Sequence, residues 1–341
     1  YRVTAEDGTV AGGPMYVMDR ALGWKPMAAF FAAAVVLSSF GSGSMPQVNN
    51  IAQVMRGTFG FDEMMVGGVA SVLLGFVIIG GITRIAGFAS KVVPAMAALY
   101  LVGAFCVIFS NLENIIPSFL SIFTSAFTGS SAVGGFLGAT FAFAANKGVG
   151  RGLFSNEAGQ GSSAIAHASA ITEEPISEGM VSLLEPFIDT IMICTLTGLV
   201  ILSSGVWLEK HDNIFQTSDF SIISGTYSDQ IEDDKHALYE HLNFVDGSVI
   251  TTHTGDIDVI NGKMTSTGVT ILNARSIAEE VVFSKDDQPY SGKLIVRDGS
   301  LDDGDMKVSG KSLIHSAALT SKAFTRSFLG DSGQYIVAIS L

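Results

Sequence analysis

The chain has 341 residues, 38 glycines, 23 phenylalanines and a net charge of −13. Its character changes at Trp207: apolar stretches with few charges precede it, and 19 acidic against 9 basic residues lie between it and Ala318. The apolar stretches exclude a soluble enzyme, and the acidic balance speaks against a nucleic-acid partner.

Residues 1–25 read as a cytoplasmic approach to a membrane. The chain opens on Tyr1-Arg2 with neither initiator methionine nor signal peptide, and it closes on the apolar Tyr335 to Leu341. It therefore reads as an internal fragment of a larger membrane protein. Five candidate spans follow within residues 26–207: Pro26–Met45, Met64–Ile82, Val92–Ser110, Ile115–Ala145 and Val181–Val206. Each is long enough to cross about 30 Å of hydrocarbon, and the fourth is long enough to be interrupted. The two cysteines, Cys106 and Cys194, sit inside these runs as core thiols.

The first span ends in a polar stretch from Gly41 to Asn50. Gln47 and Asn50, three apart, share a helix face, and carboxamides bind both ends of an amino acid. The competing reading is a capped helix end at the outer interface. The middle of the fourth span packs hydroxyls and glycines: Phe123, Thr124, Ser125, Phe127, Thr128 and Gly129. Hydroxyl oxygens suit a hard cation such as sodium, which makes Thr124 a coupling candidate; helix packing is the alternative. A narrow pocket walled by Phe123 and Phe127 favours alanine or glycine over larger side chains.

Between the fourth and fifth spans lies a Gly-rich, polar break from Gly148 to Ala168. Backbone that leaves regular structure beside lipid must bury its freed polar groups in protein or water, as in the broken helices of carriers. Its residues Arg151, Ser155, Asn156 and Glu157 are candidates for a cytoplasmic gate, while His167 reads as a packing histidine. In the fifth span Glu185 and Asp189, four apart, lie on one face; Asp189 is the deeper and the second coupling candidate, with Arg151 as one possible partner. Lys and Arg concentrate in alternate loops: Arg20 and Lys25, Arg84 and Lys91, Lys147 and Arg151. That pattern puts the start in the cytoplasm and the block after Trp207 outside, with Arg56 as the dissenter.

Residues 208–318 change period to short β-rich runs separated by turn signals such as Asn261-Gly262, Asp298-Gly299 and Asp246-Gly247. They predict a small all-β sandwich or stacked hairpins outside the membrane. Asp302, Asp303 and Asp305 are read as a solvated acidic turn rather than a calcium loop, and the block's histidines lack metal-ligand spacing. Residues 319–341 read as the lead-in to a further span.

The break between spans, Gly150-Arg151-Gly152-Leu153-Phe154-Ser155-Asn156-Glu157-Ala158-Gly159, resembles the alanine/glycine:cation symporter family, also called the sodium:alanine symporters. Gly12-Gly13-Pro14, Gly43 to Asn49, Val77 to Ile82, Ala166-His167-Ala168 and Phe187 to Thr190 carry the likeness across nearly all of residues 1–207, in family order. The resemblance implies a leucine-transporter-like inverted-repeat fold that moves a small neutral amino acid with sodium or protons across the inner membrane. The five spans would be core helices three to seven, with helices one and two and those from eight onward absent from this fragment. Gly43 and Gln47 match family positions that face the substrate, and the interrupted fourth span matches the helix that supplies substrate contacts. Ser44, where the family usually has Asn, and Pro46 depart from its pattern, and the insertion at 208–318 is not a usual family feature. The rival function is a membrane-anchored receptor whose β-rich block binds an external ligand; an anchor does not require broken helices.

Overall fold

The structure, a computed structural model, describes residues 1–4, 8, 10–43, 45–128, 148–150, 152, 156–242 and 248–340. It divides into two compact units, the first built from residues 1–104, 142–200 and 336–341, the second from 105–141 and 201–335.

The first unit opens with a two-stranded ribbon, β1 (Val3–Thr4) and β2 (Val10–Ala11), followed by helices. Among the described residues three helical runs are long and apolar enough to cross a membrane: Lys25–Phe59, Thr83–Ser110 and Pro175–Ser204. At about 1.5 Å per residue the second, of 28 residues, extends about 42 Å. Two shorter apolar helices, Glu63–Ile78 and Leu112–Thr128, stand where the second and fourth spans are expected. The first run does not stop at Met45 as the sequence reading had it. It continues as the helix Met45–Phe59, and Pro46 falls in that helix's first turn, where its missing N–H costs no hydrogen bond. Arg56, the dissenting charge, is paired with Glu63 at 2.7 Å across the short turn to the next helix.

Asp62 caps the Glu63–Ile78 helix, accepting hydrogen bonds from the Met64 and Met65 amides at 3.0 and 3.1 Å. Tyr100 and Thr197 share a 2.6 Å hydrogen bond that ties the Gly81–Ser110 helix to the Cys194–Ser204 helix. At the other end of this unit a Cβ on Gly12 would stand 2.5 Å from the Ala168 Cβ, and one on Gly13, at φ +124°, would stand 2.6 Å from Ile165. The Gly-Gly pair thus lets the N-terminal strand region lie directly on the 165–168 backbone, where Arg2 also donates to the Ala170 carbonyl at 2.8 Å.

The second unit holds three antiparallel sheets. In the first, β10 (Gln288–Pro289), β9 (Glu279–Lys285), β13 (Lys307–Ser312) and β3 (His211–Ile214) run in that order. In the second the order is β12 (Ser300–Leu301), β11 (Gly292–Arg297), β5 (Gly255–Ile260), β6 (Lys263–Met264). The third joins β4 (Phe220–Ser224), β7 (Val269–Asn273) and β8 (Ser276–Ile277). Four hairpins close through two residues that both have positive φ, as type I′ turns require: Asn261-Gly262, Ala274-Arg275, Asp286-Asp287 and Asp298-Gly299.

The block is not all-β. A helix, Glu232–Leu242, lies within it, and the reason is legible in β4. Ile222 and Ile223 are adjacent on a strand, so they point to opposite faces, yet both are fully buried. Ile222 joins the main core with Ile257, Ile271 and Phe283, whereas Ile223 packs with Leu272, Ile250 and the helix residue Leu238. A sheet apolar on both faces needs a second cover, and the helix provides it. Residues 208–318 expressed alone are expected to be soluble and to unfold cooperatively, with Leu238→Ala lowering stability by about 2–5 kcal/mol in a urea titration. A segment with no unfolding transition, or a variant as stable as its parent, would contradict this packing.

Candidate functional site

Two of the long runs are broken, and two of the candidate residues, Gly43 and Asp189, lie in the breaks. In the first, the helix Lys25–Ser38 passes through a π-helical turn, Ser39–Gly43, before the Met45–Phe59 helix begins. Gly43 ends the π turn; Gln47 stands exposed in the next helix, and Asn50, three residues on, is half-buried. Ser39 donates its hydroxyl to the Val36 carbonyl at 2.8 Å beside the break.

In the fifth span the helix Pro175–Pro186 gives way to a π-helical stretch, Phe187–Ile193. Pro186 has no N–H to offer the preceding turn, and the wider ring that follows absorbs the mismatch: the Cys194 amide reaches back five residues to the Asp189 carbonyl. Asp189 is half-buried on this turn. π turns are rare and cluster at functional sites.

A cavity of about 440 Å³ lies against the same turn. Phe187, Thr190 and Leu183 form one wall; Gly152, Asn156 and Ala158 of the Gly-rich break form the other. Asn156 is 9% exposed and caps the short helix Glu157–Gln160, its side chain accepting from the Ala158 amide at 2.8 Å. Glu157 is exposed, with its carboxylate taken by the Ser162 hydroxyl. The structure thus brings the nominated Asn156 and the turn that carries Asp189 to one cavity. Arg151 and Ser155 lie outside the described residues, as does the suggested Arg151–Asp189 pairing.

In the second unit Phe123 is half-exposed and packs edge-on against Phe119, ring centroids 5.2 Å apart. Thr124 donates to the carbonyls of Leu120 and Ser121 at 3.2 and 3.3 Å. Ser125, Phe127 and Thr128 belong to the Leu112–Thr128 helix, but their side chains, and Gly129 entirely, lie outside the described residues.

The fold assembles one cluster that residue types alone do not reveal. His167 does more than pack: it lies between two carboxylates, its Nδ1 2.5 Å from Glu178 and its Nε2 3.3 Å from Glu185. Ser163 donates to the same Glu185 oxygen at 2.7 Å. The hydrogen bond to Glu178 raises the His167 pKa above its ordinary value; partial burial opposes it and the Glu185 hydrogen bond adds to it. Glu178 and Glu185 are seven apart on one helix, hence on one face, and that spacing was the available signal.

The acidic turn of the β block is matched by cations. Asp303 pairs with Lys285 at 2.6 Å, and Asp302 with Arg297 at 3.0 Å. The lysine hydrogen bond holds the Asp303 carboxyl below its ordinary pKa. Among the described residues no three His, Cys, Asp or Glu side chains are gathered as a metal ion would need.

The sequence profile of the sodium:alanine symporter family matches residues 1–231. An uncharacterized transporter of Haemophilus influenzae is 42% identical over 208 residues, which are 61% of this chain and 46% of that protein. The sodium/alanine symporter of Methanococcus maripaludis is 38% identical over 210 residues, 60% of this chain and 46% of its own length. A sodium/proton-dependent alanine carrier protein of Bacillus sp. (strain PS3) is 39% identical over 175 residues, 51% and 38% of the two chains. The chain spans about half the length of the curated relatives it matches. With long apolar helices broken at π turns and a family profile that covers 231 of its 341 residues, the chain belongs to the sodium:alanine symporter family.

Proposed function

We propose that this chain is part of a secondary active carrier that couples the movement of a small neutral amino acid, alanine or glycine, to a sodium gradient across the cytoplasmic membrane. The carrying observation is that two membrane-length helical runs are interrupted by π turns at Gly43 and Asp189. A π turn places its carbonyls and side chains differently from an α-helix, which a site for a carboxylate, an ammonium group or a cation can use and a span that served only as an anchor does not need. The relatives named as sodium/alanine symporter and alanine carrier point the same way, and the receptor reading finds no support among them.

On this reading residues 26–207 form the carrier core, in a leucine-transporter-like arrangement as helices three to seven. Gly43, Gln47, Phe123, Ser125, Phe127, Thr128 and Gly129 contact the substrate; Thr124 and Asp189 serve the cation; Arg151, Ser155, Asn156 and Glu157 guard the cytoplasmic side. Residues 1–25 lie in the cytoplasm, 208–318 form an extracytoplasmic domain, and 319–341 lead to a further span. Sodium enters as substrate, and the hydroxyl and carboxylate oxygens of Thr124 and Asp189 are hard donors of the kind it takes.

The test is uptake by the full-length protein in proteoliposomes, with a panel of labelled amino acids and an inward sodium gradient. Alanine or glycine accumulation that collapses with the gradient is expected; accumulation of neither would contradict the proposal. Gln47→Leu and Thr124→Val should each weaken substrate affinity or sodium activation by about 1–3 kcal/mol, about five- to hundredfold, at near-normal expression. Unchanged kinetics in both would make these packing residues. Orientation is checked with single cysteines after replacement of Cys106 and Cys194. Gly87→Cys and Lys147→Cys should react from the cytoplasm alone, and Phe61→Cys from outside alone; labelling of position 87 from outside would reverse the topology.

A further inference from the structure

The three side chains that meet at His167 come from two segments separated in sequence by the turn at residues 168–174. His167 ends the short helix Ser163–His167, and Glu178 and Glu185 project from the Pro175–Pro186 helix. Both imidazole nitrogens face a carboxylate oxygen. A neutral imidazole has one N–H and one lone pair, so in either tautomer one carboxylate meets a lone pair. The imidazolium alone donates to both. With the Ser163 hydroxyl also on Glu185, protonation completes three charge-assisted contacts between the two segments. Deprotonation removes one donor and leaves two carboxylates flanking a neutral ring.

We infer that His167, with Glu178 and Glu185, forms a proton-binding latch that holds the Ser163–His167 helix to the first half of the fifth span. Among the described residues, Glu157 nearby is engaged by Ser162, Arg2 donates to the Ala170 carbonyl, and Glu173 and Glu174 stand in the turn between the two segments. The sign follows from the raised His167 pKa. The latch is fully closed below the ordinary histidine value of about 6.5 and is lost as pH rises through the higher folded-state value. The helix it grips also supplies Leu183 and Pro186 to the cavity at the π turn, so the bound proton sets how firmly that wall is held. The effect on uptake rests on the transport reading; the latch itself does not.

The test uses nitroxide pairs on Ala164→Cys and Leu183→Cys in the full-length protein, with Cys106 and Cys194 replaced. The distance distribution is expected to be narrow at about pH 6 and to broaden by about pH 9, above the ordinary histidine range. His167→Gln should be broad throughout, and Glu178→Gln should move the midpoint to lower pH, because it removes the larger of the two carboxylate effects. A distribution that ignores pH, or that His167→Gln leaves unchanged, would overturn the latch. Sodium-driven uptake should follow the same midpoint and shift with Glu178→Gln; an uptake profile indifferent to both variants would overturn its role in transport. Should no variant or parent take up amino acid, the transport reading fails, and the spin-label distances still decide the latch.

Discussion

A peptide group in hydrocarbon has no water to turn to, and each unmet N–H or C=O costs several kcal/mol. That constraint makes an interruption in a membrane-length helix costly, and the described residues carry two, Ser39–Gly43 and Phe187–Ile193. At the second the helix does not end but widens: the backbone keeps a hydrogen-bonded path through the break, as the Cys194-to-Asp189 bond shows. The price is a local loosening of the ladder, and the result is a turn whose carbonyls and side chains are placed differently from those of an α-helix. The rest of the first unit supports these turns. The Tyr100–Thr197 hydrogen bond steadies the helix that follows the second break, and the Gly12-Gly13 approach anchors the polar segment that leads to it.

The β block at residues 208–318 is built instead on short strands of acidic sequence. Its strands alternate or bury both faces according to what covers them, and its acidic surface is laced with exposed Lys–Asp and Lys–Glu pairs. Such pairs contribute little stability each, and their service here is to offset repulsion among the acidic side chains. Stability comes from the two apolar clusters that share the β4–β7 sheet.

Much of this was legible in the residues. Apolar length pointed to the three membrane-length runs, and Asn261-Gly262 and Asp298-Gly299 announced their turns because Asn, Asp and Gly tolerate positive φ. Three features were not legible, for physical reasons. The turn at Ala274-Arg275 holds positive φ without a residue that favours it, so tertiary pairing of β7 with β8 imposes it. The π turns leave no composition signal, since a wider ring differs from an α turn by one residue of register; Pro186 marked one after the fact. The helix 232–242 hides behind a polar, acidic start, and its reason lies in the second face of β4 rather than in itself. At the site, residue types pointed to Asp189 and Gly43, whereas the His167 cluster needed the fold to bring Glu178 and Glu185 to one ring.

The central claim is that the breaks, not the regular helices around them, meet the transported solutes. It is tested most directly by a cysteine scan of residues 36–47 and 184–195 in the full-length protein, with alkylation rates measured with and without alanine and sodium together. Protection that peaks within Ser39–Gly43 and Phe187–Ile193 and fades along the flanking helices is the predicted result. Protection spread evenly along both helices, or absent from both turns, would contradict it.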